Sequence, residues 1–128
     1  MKLLQHIDAT SLPEPQVIAL APDADPLALA QELHSTQRVD LHFPKFSDGR
    51  AFSQAWLLRR RLRFTGDIRA TGEVLIDQLL QMKRCGFSQA VLRADQDAVH
   101  GARLLAGFDG FYQGDIEQAR PRFALQAA

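Results

Sequence analysis

Short apolar runs alternate along the chain with longer stretches whose apolar residues recur every three to four positions. Gln16–Ala21 reads as a strand between Pro15 and Pro22, and Asp25 then offers an N-cap with Pro26 at the first helical position. The helix so opened is expected to run through Leu27, Ala30 and Leu33 to about Ser35. Val39–Phe43 is the second strand, stopped by Pro44, and Ser47 or Asp48 caps a helix carrying Phe52, Ala55, Trp56 and Leu62. Trp56 lies on the apolar stripe of that helix and is expected in the core. Gly66–Ala70 is the third strand; Thr71–Gly72 opens a helix that runs through Leu75, Leu79 and Met82 to Cys85 and stops at Gly86. Ser88–Leu92 is the fourth strand, Asp95 or Asp97 caps the fourth helix, and Phe111–Gly114 is a short fifth strand. Residues 1–15 read as an edge strand or a loose arm, and residues 118–128 as a loose end.

Five strands joined by four helices imply right-handed crossovers and a mainly parallel α/β sheet. Alternate residues of a strand face opposite sides. Asp40 and His42 share one side of the second strand, Asp67 and Arg69 one side of the third, and Gln89 and Arg93 one side of the fourth, where Gln113 is a candidate to join them. The other sides carry Val39, Leu41, Phe43, Ile68, Ala70, Ala90 and Leu92. A doubly wound sheet hides both faces under helices and reads apolar on both. One polar and one apolar face instead fits strands in sequential order with all helices on one side, a half-barrel. A flavodoxin-like doubly wound sheet is the alternative.

Composition narrows the function classes. The chain has 128 residues, one domain by length, with fifteen basic residues balancing fifteen acidic ones. No global field draws it to nucleic acid or to an anionic membrane, and zero net charge favours pairing into a homodimer. No apolar stretch approaches the roughly 20 residues of a membrane span. The single cysteine, Cys85, excludes an internal disulfide and a cysteine-ligated metal cluster. Together with the lack of a secretory-type leader, it points to a reducing, cytoplasmic home. Beside a C-cap glycine Cys85 reads as a structural thiol. Asp77 faces either the sheet or solvent.

Ligands of parallel sheets gather at the carboxyl ends of the strands. Lys45 and Arg50 follow the second strand, Arg69 with Thr71 and Gly72 ends the third, and Arg93 follows the fourth. Three cation-bearing strand ends beside helix N-termini suit a small oxyanion. The competing reading pairs Arg69 with Asp67 or Asp40 and leaves Lys45 and Arg93 as solvated rim charges. His42 is a general-base candidate oriented by Asp40, or a hydrogen-bonded structural histidine. His6, His34 and His100 have no metal-ligand spacing, so no metal site is expected. Arg59, Arg60, Arg61 and Arg63 end a helix and read as a solvated face rather than a nucleic-acid patch. The chain has no dinucleotide fingerprint, P-loop, nucleophile elbow or HExxH.

Three motifs carry a family resemblance: LHFPKFSDGRAFSQAWLLRRR at Leu41–Arg61, GDIRATGEVLIDQL at Gly66–Leu79, and RCGF at Arg84–Phe87, with Tyr112–Gln113 matching more loosely. Over about residues 38–114 the sequence resembles small bacterial proteins described as oxidoreductases of sulfite reduction, whose genes commonly lie beside assimilatory sulfite reductase. The resemblance implies a role in sulfite assimilation and sulfite reductase as a partner. It carries over no catalytic residue. Six-electron sulfite reduction needs haem-like and iron–sulfur chemistry, and hydride transfer needs a nicotinamide or flavin site. The residues show no motif for either, so no cofactor is expected. The expected role is that of an accessory protein that supports or binds sulfite reductase, through a small oxyanion in one version of the reading. A small enzyme using the strand-end pocket and a dimeric scaffold without ligand are the alternatives.

Overall fold

The computed structural model describes residues 1–5 and 16–108, and the expected strand at 111–114 lies outside them. Among the described residues there are five strands: β1 (Lys2–Leu4), β2 (Val17–Leu20), β3 (Arg38–Phe43), β4 (Asp67–Gly72) and β5 (Gln89–Val91). All pair in parallel, in the order β1-β5-β4-β3-β2. From β2 to β5 the order is sequential, and β1 takes the far edge beside β5. Lys2–Leu4 is therefore an edge strand, and the rest of the expected arm, residues 6–15, and the expected loose end, residues 118–128, lie outside the described residues. Lys2 N–H donates to Ser88 O and Leu92 N–H to Leu4 O, each at 2.8 Å.

Among the described residues three α-helices follow the last three of these strands: α1 (Arg50–Arg60), α2 (Leu79–Cys85) and α3 (Ala98–Phe108). Between β2 and β3 the expected helix resolves into two 3-10 turns, Pro26–Leu29 and Glu32–Ser35. Asp25 caps the first, accepting from Leu27 N–H at 2.9 Å. Asp48 accepts from Arg50 N–H at 3.0 Å at the start of α1, and Asp97 from Val99 N–H at 2.9 Å at the start of α3. Gln5 closes the gap between β1 and α3: its Oε1 accepts from Ala98 N–H at 2.7 Å and its Nε2 donates to Gln96 O at 3.1 Å. Gly86 ends α2 at φ 111°, a left-handed conformation that glycine adopts without steric cost.

One core joins the apolar side of the sheet to every described helix. Leu20, Val39, Leu41, Phe43, Ile68, Ala70 and Ala90 meet Ala51, Ala55 and Leu58 of α1 and Leu79 and Met82 of α2, with Leu29, Leu33, Ala98 and Leu105 packed alongside. The rings of Phe43, Phe52 and Phe87 cluster between α1 and the sheet, Phe43 meeting Phe52 edge-on at 5.2 Å. Among the described residues the helices thus share one face, as the half-barrel reading expects. Trp56 departs from expectation. Ala51, Gln54, Ala55 and Leu58 form the buried stripe of α1, and Trp56 is 45% exposed on its outer side. Gln54 holds the β2 exit from below, its Nε2 donating to Ala21 O at 2.8 Å and Ala24 O at 3.0 Å.

Candidate functional site

The face opposite the helices is built in cross-strand rungs. Register places Arg38 beside Asp67, Asp40 beside Arg69, His42 beside Thr71, and Arg69 beside Gln89. Asp40 is the hub of this layer. Its Oδ1 accepts from Arg38 Nε at 2.8 Å and its Oδ2 from Arg69 Nη2 at 3.0 Å. Arg38 and Arg69 are 4% and 7% exposed, so this is a buried arginine–carboxylate–arginine unit. Arg38 also brings Nη2 to 3.4 Å from Oδ2, whereas Arg69 meets Asp40 through Nη2; pairing with an opposite charge is what makes buried guanidinium groups tolerable in a protein interior. Asp67 stays outside it and accepts from Ser88 Oγ at 2.9 Å.

Arg38 was not singled out by the sequence. Side chains two apart on a strand share a face but are too far apart for short groups to touch. The long arginine stem closes that gap to Asp40, which the shorter histidine at 42 does not. His42 instead places Nδ1 3.4 Å from Thr71 Oγ1. His42, Thr71 and Asp40 line an open groove of about 460 Å³ together with the Ala19–Pro22 end of β2. Gly72 makes room here. Its φ is 91°, and a Cβ would run into the Phe43 carbonyl oxygen and stand 2.6 Å from His42 Cε1.

Among the described residues, the three arginines expected to bind an oxyanion are each paired with a carboxylate. Arg69 sits mid-strand on Asp40. Arg50 folds back on Asp48, with Nη2 to Oδ2 at 2.6 Å. Arg93 lies between Asp95 (2.6 Å) and Glu73 (3.0 Å). The amide that follows Gly72 is also engaged: Glu73 N–H donates to Phe43 O at 2.8 Å. Lys45 is exposed in the loop before α1. These pairings set the local electrostatics. The hydrogen bond from Arg50 holds the Asp48 carboxyl down at about 2, and the hydrogen bond from Arg93 does the same for Asp95. Asp95 and then Glu73 raise the Arg93 guanidinium in turn. An anion at these strand ends would have to displace carboxylates already in place.

Elsewhere, Cys85 is half-buried at the end of α2, and burial pushes its thiol pKa up against the opposing charge of Arg84. Asp77 is exposed. No group of three His, Cys, Asp or Glu among the described residues is placed to hold a metal ion, and no described helix is long and apolar enough to cross a membrane.

At the amino ends of the strands the basic run at the close of α1 splits into two jobs. Arg59 is structural. Its Nη1 donates to Phe64 O at 2.9 Å and Gly66 O at 2.6 Å, its Nε to Gly86 O at 2.9 Å, and its Cζ lies 5.8 Å from the Phe64 ring centre. Arg60, Arg61 and Arg63 project to the outside.

The sequence profile of one family matches residues 17–123, from the start of β2 to beyond the end of α3. The chain belongs to DUF934, a family of bacterial proteins of unknown function. No curated protein and no solved structure matches it. For this DUF934 chain the roles of individual residues are therefore argued from the geometry above.

Proposed function

We propose that this protein is an accessory protein of assimilatory sulfite reduction, and that it docks on sulfite reductase through the outer surface of α1. The observation that carries the docking reading is Trp56. It stands 45% exposed in the middle of a helix, with the exposed Arg60 one turn on and Arg61 beside it. Tryptophan and arginine dominate the energetics of protein interfaces, because each combines a large contact area with directional polar groups. Neither α1 nor α2 contains an acidic residue, so this surface suits an acidic patch on its partner. The choice of partner comes from the motif LHFPKFSDGRAFSQAWLLRRR, which includes all of α1 and resembles the proteins encoded beside sulfite reductase. The carboxyl-end arginines add no support for docking through a small oxyanion, since Arg50 and Arg93 already hold carboxylates.

Purified sulfite reductase immobilised on a sensor surface tests this directly. The wild-type chain should bind, and added salt should weaken the binding. Trp56→Ala should weaken it by about thirtyfold, the effect of a hot-spot side chain, whereas Arg50→Gln at the other end of α1 should leave it unchanged. Wild-type protein that fails to bind at low salt would end the reading. Equal binding by Trp56→Ala would move the docking surface elsewhere.

A further inference from the structure

A cleft lined by described residues lies at the amino ends of β3 and β4, opposite the end where parallel sheets usually bind ligands. Its volume is about 740 Å³, and its walls include Leu33, Leu62 and Phe64 on the apolar side and His34, Gln37 and Arg63 on the polar side. We infer that this cleft binds a small organic anion with an apolar body, a carboxylate or sulfonate carried on a hydrocarbon or aromatic frame. The inference is independent of the docking surface on α1.

Three observations converge on it. The size falls in the range of small-molecule sites, and Leu33, Leu62 and Phe64 supply an apolar wall within a lining that is otherwise mostly polar. Arg63 is exposed and makes no ion pair with a described carboxylate, in contrast to Arg50 and Arg93. Its planar guanidinium matches a carboxylate or sulfonate. Arg63 is also the one non-glycine residue with a positive φ among the described residues, at 56°. Such a conformation persists where the surroundings over-determine it. Here they do. Phe64 N–H donates to Leu58 O at 2.9 Å, and Arg59 holds Phe64 O and Gly66 O from within. Gly66 is pressed so close to Gln37 O that a Cβ would stand 2.5 Å from it. The loop is therefore a fixed wall that presents Arg63 at the cleft. Asp67 also lines the cleft and opposes an anion on its side, since Ser88 Oγ, which donates to it, carries no charge.

The test is a titration of the isotope-labelled full chain with naphthoate, followed by amide shifts, with uncharged naphthol and inorganic sulfate as parallel probes. Naphthoate should give saturable shifts confined to Leu33–Gln37 and Leu62–Asp67, stronger than either control. Arg63→Gly should weaken naphthoate by about tenfold, the loss of one charge-assisted pair, and should also raise the melting temperature, because glycine accepts the left-handed backbone. A more stable variant with unchanged affinity would overturn the inference. So would naphthol binding as well as naphthoate, sulfate binding equally well at the same amides, or no saturable shift at millimolar naphthoate.

Discussion

The two ends of this sheet use arginine in opposite ways. At the carboxyl ends Arg50 and Arg93 sit two residues from a carboxylate and fold onto it, Asp48 in one case and Asp95 in the other, with Glu73 reaching Arg93 as well. At the amino ends the four arginines that close α1 have no acidic neighbour in sequence. One of them, Arg59, turns inward to three backbone carbonyls, and Arg60, Arg61 and Arg63 face outward. Both ends are rich in cations, but at one end the two arginines are paired with carboxylates and at the other three arginines present their charge. The usual preference for the carboxyl end reflects helix N-termini and converging loops. It says nothing about whether the cations found there are still available.

Between the two ends lies the Arg38–Asp40–Arg69 layer, and breaking it should have the largest effect. Asp40→Ala leaves two buried guanidinium groups without their shared carboxylate and should cost about 3–5 kcal/mol in urea unfolding. A loss under about 1 kcal/mol would mean that the layer is not a unit. At the amino end, Arg59→Met keeps the apolar stem and removes the donors to Phe64, Gly66 and Gly86. It should cost about 2–3 kcal/mol, as loss of hydrogen bonds from a charged group does, with faster amide exchange in the Leu62–Gly66 loop. Unchanged exchange there would show that Arg59 does not hold the wall of the cleft. The carboxyl end should give the smallest effect. The folded-state pKa of Asp48 and Asp95 is depressed to about 2 from 3.8, so their contribution is present above about pH 4 and is lost as pH falls towards 2. Both carboxylates pair at the surface, where screening keeps such effects small. A thermal melt series from neutral pH downward should therefore lose a small part of its slope in the Asp48→Asn/Asp95→Asn double variant. An identical slope would show that these pairs add nothing to the fold.

Much of the sheet was legible because strand alternation is local. The polar series Asp40, His42, Asp67, Arg69 and Gln89 and the apolar series Val39, Leu41, Phe43, Ile68, Ala70 and Ala90 fall on the faces their parity assigns. The capping signals of Asp25, Asp97 and Gly86 were equally local and are in place. Misreadings arose where a distant partner decides. Thr71 and Gly72 read as a helix start, but pairing with His42 and Phe43 extends β4 through them, and helical geometry begins only at Ile76. The segment after Pro26 forms two 3-10 turns, its fully buried surface limited to Pro26. Trp56 belongs to a run of apolar residues, Ala55–Leu58, too continuous to define a single stripe.

By itself the sequence determined that the chain forms a parallel α/β sheet with one polar and one apolar face, because period-two alternation and chain-local caps need no knowledge of neighbours. Only the tertiary structure decided which charges meet. Asp40 and Arg69 are 29 positions apart and become partners through the register of β3 against β4. The same register leaves Asp67 to Ser88. Coulomb attraction and hydrogen bonding act over a few ångströms. Sequence separation does not measure such distances, so which arginine meets which carboxylate was settled by the packing of the sheet.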